Sequence, residues 1–445
     1  MVYYIAQFYK NRHNYPPGPI PLPLIGNMLT FRKYKRNWSM EILDFKRIYG
    51  PVFTLWVGPL PFVIICDPDM ARDVFNKSEF SGRPTLLMSG IYNNEKHNDV
   101  IFNDYGPCWK YLRQVQHKAI GKYAKTKALS ELVAKSVRQM VDNIITNEGI
   151  DKPFQTRHYA YDLFANILGS IMYSEKFDNK HPALKKYKYL TIDYIPEVGN
   201  AMMMYEFVPM SKYFMANPLA KYKCYFNELL IYTRNIYQNH DKTYDSNSLR
   251  DFCDILIAAK HEAIADDKLS AQYLTDDNLL VTLIDMFIAG VDTSQITLMW
   301  ILLYLAYYPE YQDRLHSEIN FELNSREPVA EDISRLNYTL AFVSEILRHR
   351  NVAPMGVFHK TLADCQLGAF SVPRNTQVLV HQFGIMNNTK YWTNADRFEP
   401  ERFLDEHGQF IQTNPGAYMP FGCGRRICPG RALAINDELL SIKFL

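Results

Sequence analysis

From Asn278 to about Tyr308 the chain is apolar on most faces, with Thr275-Asp276-Asp277 as a helix start and Pro309 as a stop. This pattern predicts one long helix buried through the middle of the protein. A membrane-spanning reading would put Asp285 and Asp292 inside the span, where carboxylates are costly. Residues 125–270 repeat apolar positions at helical spacing and predict amphipathic helices joined by loops. Pro51 to Ile65 instead carries two β-rich runs split by Gly58-Pro59, which predicts a strand pair with a turn. Asp67-Pro68-Asp69 opens a helix through Phe75, and Ser81-Gly82-Arg83-Pro84 closes that unit. Leu86 to Phe102 has no period and predicts a loop, after which Trp109 and Arg113, four apart, share one helical face. Gly368 to Val380 predicts two short strands around Val372-Pro373-Arg374-Asn375. The sum is a mostly α fold with small β-sheets.

Composition narrows the picture. A chain of 445 residues has room for about three domains, yet no composition shift, linker or repeat marks a boundary, so one large domain is expected. Hydrophobic residues make up 47%, enough for a deep core, and a net charge of +2 gives no signal for nucleic acid. The 7 cysteines are scattered without a C-x-x-C pair and predict reduced thiols rather than a disulfide framework or a zinc site. Met1 to Tyr9 is apolar but far short of the roughly 20 residues a bilayer needs. It is followed by Lys10, Arg12 and His13 and by the prolines of Pro16-Pro17-Gly18-Pro19. Residues 1–15 read as the remnant of a membrane anchor with a basic stop ahead of a stiff hinge, or as an ordinary frayed terminus; the resemblance given below implies the anchor.

Candidate chemistry gathers late in the chain. In Phe421-Gly422-Cys423-Gly424-Arg425-Arg426-Ile427-Cys428-Pro429-Gly430 the glycines predict a tight loop whose backbone N–H groups converge on Cys428. Arg425, Arg426 and Arg431 nearby favour a thiolate, and Cys423 reads as packing. Inside the long helix, Ala289-Gly290-Val291-Asp292-Thr293-Ser294 sets small residues beside an acid and an alcohol. The plainer reading of Thr293 is a hydrogen bond back to the preceding turn. Glu345 and Arg348 share a helical face at i, i+3, and Pro400-Glu401-Arg402-Phe403 follows. The run Met202-Met203-Met204 with Phe207 reads as core packing, with a flexible pocket lining as the alternative.

The spacing Phe421, Gly424, Arg426, Cys428, Gly430 resembles the haem-ligand loop of the cytochrome P-450 family, and the resemblance extends from about Pro16 to Leu445 through the motifs above. It implies a single catalytic domain over 16–445, with haem b between the central helix and the cysteine loop and Cys428 as the axial iron ligand. It further implies that Arg83, Trp109, Arg113 and His359 meet the haem propionates, and that Ala289, Gly290, Phe421 and Arg426 also line the cofactor. Asp292 and Thr293 would relay protons, while Glu345, Arg348 and Arg402 would form a buried structural network. The implied activity is monooxygenation of an apolar substrate with O₂. Its implied partners are NADPH-cytochrome P-450 reductase and cytochrome b5, at the cytoplasmic side of the endoplasmic reticulum membrane, with no nucleic acid.

Asn103 to Lys110, Asp285 to Thr293, and Glu345 to Pro354 with His359-Lys360 are similar to steroid- and aryl-hydrocarbon-hydroxylating members, which points to a rigid, steroid-like substrate. Val352, Ala353, Met355 and Val357 would form pocket wall, and Lys110, Lys118, Lys122, Arg425 and Arg431 a basic patch for the electron donor. Two departures stand out: Phe358 replaces a common proline, and the chain stops at Leu445, inside the helix after Cys428, which suggests truncation. A xenobiotic or fatty-acid hydroxylase is the alternative within the family. A haem-thiolate isomerase or dehydratase, or an inactive haem- or lipid-binding fragment, are the alternatives outside monooxygenase chemistry.

Overall fold

Thr275 starts the element around which the fold is wrapped. Its Oγ1 accepts the Asn278 N–H at 3.3 Å, satisfying an otherwise orphaned donor, and the central helix then runs Asp276–Tyr307. Pro309 cannot continue it and opens the next helix, Pro309–Leu323. The computed structural model describes residues 2–31, 38–124, 126–174, 181–324, 326–412 and 416–443; Met1 and Leu445 lie outside them. The central helix is long and apolar enough to cross a bilayer. It is nonetheless a core element, with Leu279, Leu283, Val291, Leu298 and Ile301 fully buried. The helix Arg157–Tyr173 makes the most extensive packing against it.

That packing is set by Gly290. A Cβ there would lie 2.6 Å from Leu168 Cδ1, so the bare backbone lets the two helices approach. Gly290 therefore serves a helix crossing, and it also lines the cavity described below together with Ala289.

Strands β1 (Val52–Val57) and β2 (Leu60–Ile65) form the antiparallel pair predicted from Pro51 to Ile65. The late strands β3 (His359–Lys360), β4 (Cys365–Leu367), β5 (Phe370–Val372) and β6 (Gln377–Val380) complete two sheets. One has the order β1-β2-β6-β3, with β2 and β6 parallel, and the other is the β4-β5 hairpin. The expected strands around Val372-Pro373-Arg374-Asn375 are thus β5 and β6, which belong to different sheets. Pro373 cannot donate to a ladder and Asn375 is left-handed at φ 65°, so the chain turns away between them. Met203 and Phe207 pack against the β1-β2 side of the core and Met202 against the helical core, away from the cavity described below.

The helix Asn337–His349 carries Glu345 and Arg348 on its buried face, both fully excluded from solvent. Arg348 Nε and Nη2 hold the Glu345 carboxylate at 2.6 and 2.8 Å, and Arg402 Nε adds a third contact at 3.1 Å. The Glu399 N–H donates to the same carboxylate at 3.0 Å. Arg348 also donates to the carbonyls of Met386 and Arg397, and Arg402 to that of Thr393, so the network clamps the segment 386–403. Removing the shared acceptor leaves the fully buried Arg348 guanidinium without its carboxylate and takes from Arg402 one of its two, Glu399 remaining at 3.1 Å. Glu345→Ala is therefore expected to destabilise the fold by about 3–5 kcal/mol, read as a lowered urea midpoint.

Candidate functional site

A cavity of about 330 Å³ lies between the central helix and the loop 421–430. The loop's shape depends on glycine: Gly422 and Gly424 have φ of 76° and 74°, and a Cβ on Gly424 would stand 2.2 Å from the Phe75 carbonyl oxygen. Cys428 N–H donates to the Phe421 carbonyl at 3.0 Å, which closes the loop and turns Cys428 toward the cavity. Burial raises the thiol pKa, while the N–H groups of Gly430 and Arg431 and the guanidinium of Arg113 oppose that rise.

The three arginines next to Cys428 in sequence do not turn to its sulfur. Arg425 donates to the carbonyl of Asn76 and to Tyr105 Oη, Arg426 to the carbonyls of Ser81 and Asn103, and the Arg431 guanidinium lies 5.9 Å from the Phe421 ring centre. Cys423 packs into the core cluster beside the sheet, as its position suggested.

One edge of the cavity collects cations. Arg83 Nε donates to the Ile101 carbonyl and Nη1 to the Phe358 carbonyl, both at 2.8 Å. Arg113 donates from Nη2 to the Ile427 carbonyl and from Nη1 to Gln116 Oε1 at 3.3 Å, and its buried Nε has no partner. His359 Nδ1 lies 2.8 Å from the Phe80 carbonyl oxygen, and its ring stacks on Phe75 at 3.9 Å. Burial lowers the pKa of Arg83, and the neighbouring Arg426 lowers it further. Burial likewise brings Arg426 down to about 10. His359 is held well below its ordinary value by burial and Arg83, hence neutral. The acids close by are Asp99, which burial raises to about 6, and Asp104, which is paired to Lys360 at 3.0 Å. Trp109 lines the cavity as well, with its Nε1–H donating to the Val100 carbonyl at 3.0 Å.

Across the cavity stand Ala289 and Thr293, exposed positions in the mostly buried middle of the central helix. Thr293 Oγ1 donates to the Ala289 carbonyl at 2.7 Å, the back-bond that was the plainer reading. Asp292 is turned aside from the cavity lining, and its buried Oδ1 has no partner. The acid and the alcohol are adjacent in sequence but project about 100° apart around the helix.

Val352, Ala353 and Val357 line the cavity, whereas Met355 packs on the β-sheet cluster. Sequence reasoning passed over Asp285, treated only as an obstacle to a membrane span. Its Oδ2 accepts the Val100 N–H at 2.8 Å and pins the 100–101 loop over the cavity. A lone acid in an apolar helix was the available signal. The adjoining Asp437 and Glu438, fully buried at the cavity rim, were missed as well, because their helix reads as ordinary from sequence.

The expected haem fits this donor set. A thiol at one wall, a cationic edge with a buried unpaired Arg113 Nε, and apolar surfaces between them suit a flat, dianionic, metal-bearing group. A family model described as Cytochrome P450 matches residues 16–442. The chain is 28% identical over 429 residues to a steroid 17-alpha-hydroxylase/17,20 lyase of Squalus acanthias, covering 94% of this chain and 82% of that protein. It is 29% identical over 447 residues to the protein of the same name in Macaca fascicularis, covering 97% and 85%. It is also 29% identical over 441 residues to Cytochrome P450 2B2 of Rattus norvegicus, covering 97% and 86%.

Burial raises the Asp292 pKa to about 7, with Arg157 partly offsetting it. The folded chain then holds this proton more tightly than the unfolded chain, so stability falls as pH rises from the unfolded carboxyl value near 4 through about 7. Asp292→Asn is expected to remove that fall. The stability lost between about pH 5 and about pH 8 should shrink by about 2–3 kcal/mol, measured by chemical denaturation at both values.

Proposed function

The chain belongs to the cytochrome P450 family, and on that footing we propose that it hydroxylates an apolar, steroid-like substrate as a haem-thiolate monooxygenase of the steroid 17-alpha-hydroxylase kind. The carrying observation is Cys428 set across a cavity from Ala289 and Thr293, with a cationic edge between. In this reading Cys428 would supply the sulfur that holds the iron of haem b, and Arg83, Arg113, Arg426 and His359 would hold its two carboxylates. Trp109 and Phe421 pack at its rim, and Ala289 leaves room on the opposite side while Gly290 holds the helix crossing. The Glu345, Arg348 and Arg402 network keeps the segment before the loop in register.

When bound, the haem supplies the activation of dioxygen that a protein side chain cannot. The chain's own part is to orient substrate and to manage protons. Thr293 presents its hydroxyl oxygen to the cavity while its hydrogen rests on the Ala289 carbonyl. That arrangement lets it accept a hydrogen bond and then pass one on by rotating about χ1. Asp292, with a pKa near 7, is matched to giving and taking protons at neutral pH.

Leu168, Met172, Phe252 and Met286 make the remaining wall largely apolar, which supports a bulky hydrophobic substrate. The names of two of the relatives above support a steroid. The electron donor in this reading is NADPH-cytochrome P-450 reductase, with cytochrome b5 as a second donor. Lys110 and Arg425 converge on Tyr105 as the centre of a basic docking patch. Lys122 and Arg431 would extend it in this reading, while Lys118 is engaged with Glu262 at 3.9 Å. Residues 16–445 form the catalytic domain on the cytoplasmic face of the endoplasmic reticulum, and residues 1–15 lie at its membrane surface.

Cys428→Ala is expected to abolish the strongly red-shifted Soret band of the reduced, CO-bound protein, because that band requires an anionic sulfur ligand. An unaltered band would remove Cys428 from the proposal. Titration of the haem-loaded protein with progesterone and pregnenolone is expected to shift the haem band. Silence with both, beside a response to polycyclic aromatics or fatty acids, would move the substrate to the xenobiotic or fatty-acid class.

A further inference from the structure

Three helix ends meet behind the apolar wall of the cavity, and one buried ion pair joins them. His240 lies in the last turn of the helix Leu219–Lys242, and Asp251 caps the start of the helix Phe252–Ala265. Ser174 follows the end of the helix Arg157–Tyr173 in a left-handed conformation at φ 49°. Asp251 Oδ2 lies 2.7 Å from His240 Nε2 and accepts the Ser174 hydroxyl at 2.7 Å, while its Oδ1 accepts the Asp254 N–H at 2.9 Å. The other ring nitrogen, His240 Nδ1, is 3.0 Å from the Ile236 carbonyl oxygen. A carbonyl and a carboxylate can only accept, so both nitrogens carry hydrogen and the ring is an imidazolium. A cation at a helix C-terminus thus faces an anion at a helix N-terminus, the favourable sense of both dipoles. His240 and Asp251 are 7% and 0% exposed. Arg250 donates to both oxygens of the nearby Asp254, from Nε at 2.7 Å and Nη2 at 2.8 Å, so the group is an ion-pair hub with no place left at Asp254 for a metal.

The residues beside this hub belong to the cavity. Phe252 follows Asp251, and Met172 stands two places before Ser174; both are buried and line the cavity with Leu168. Tyr123 backs the Phe252 ring at 5.1 Å between centres. We infer that His240 is a positioning residue whose imidazolium clamps this wall through Asp251 and Ser174, and that loss of its proton as pH rises loosens the wall and the cavity's hold on an apolar occupant. This rests on the cavity being the reaction site proposed above and adds to it a pH control over what the site retains. Burial by itself lowers the His240 pKa, and the hydrogen bond and charge of Asp251 outweigh it, so the net shift is upward. The clamp is therefore complete below the unfolded histidine value of about 6.5 and is lost as pH rises through the higher folded value. The charged and titratable groups around it are Asp241 on its own helix, Arg250, Asp254 and Cys253 at the start of the next, and Tyr123, Tyr173 and Tyr244. Burial raises the pKa of the thiol and of the three phenols, which stay neutral over that range. His261, 3.3 Å from Asp241, is the other histidine nearby.

The test uses the haem-loaded full chain and the variants Asp251→Asn, Ser174→Gly and His261→Gln. Asparagine keeps the helix cap while removing the charge that holds the proton on His240, and glycine suits the left-handed backbone while removing the hydroxyl. Two quantities are followed from about pH 6 to about pH 9: amide-exchange protection factors of residues 165–174 and 251–256, and the rate of haem transfer to apomyoglobin. In the parent chain protection is expected to fall and haem transfer to rise several-fold across that range, with one midpoint. Asp251→Asn is expected to flatten both profiles, Ser174→Gly to raise haem transfer at every pH with the midpoint kept, and His261→Gln to change neither. Protection that falls with pH while haem transfer does not respond would make the pair purely structural and overturn the inference. Equal profiles in the parent chain and Asp251→Asn would overturn it as well, because another group would then be titrating. A chain that takes up no haem would overturn the monooxygenase reading instead; the clamp is then decided by the protection factors, which must still lose their pH dependence in Asp251→Asn.

Discussion

The Glu345 carboxylate is the point on which the C-terminal third of the molecule turns. A desolvated carboxylate costs several kcal/mol and is tolerated only when its lone pairs are filled. Here Arg348, Arg402 and the Glu399 N–H fill them. The same guanidiniums then spend their remaining hydrogens on carbonyls of the segment 386–403, which has little regular structure of its own. One buried charge thereby gives an irregular segment a fixed position, and the cysteine loop inherits that position.

The cavity shows the opposite balance. Its cationic edge places Arg83, Arg113 and Arg426 near one another in a setting where burial already disfavours charge, and neutral acceptors, backbone carbonyls and the Gln116 amide, answer them with Asp99 and Asp104 nearby. Protein packing alone gains nothing from such an arrangement. A dianionic partner resolves it, since charge-assisted hydrogen bonds are strongest where water is excluded.

The elements legible in the sequence were those written by local chemistry. Thr275 and Asp67 cap the helices predicted for them, Gly58-Pro59 separates β1 from β2, and Gly422 and Gly424 of the cysteine loop occupy left-handed positions. What escaped was the identity of the neighbour. Helical spacing shows that Asp292 and Thr293 point in different directions, but not that Thr293 is the one that faces the cavity. Gly290 announced a close approach without saying that Leu168 makes it. Met355 lies in the segment expected as pocket wall and packs on the sheet instead, a choice made by tertiary contacts that no local period encodes. The family resemblance supplied Arg402 as the partner of Glu345, 57 residues distant, where spacing alone offered only Arg348.

The parallel pairing of β2 with β6 sets a schedule for synthesis. Phe62 to Ile65 must find Gln377 to Val380, and Asn76 must find Arg425, 349 residues later. A ribosome adding about 5–20 residues per second needs roughly 15–60 s to deliver the second partner. Throughout that interval one edge of an apolar strand pair stands open, and open edges recruit other chains. The early β1-β2 hairpin is therefore the segment that a nascent-chain chaperone has most reason to shield, and contacts so distant in sequence make slow folding the price of joining both ends around one site.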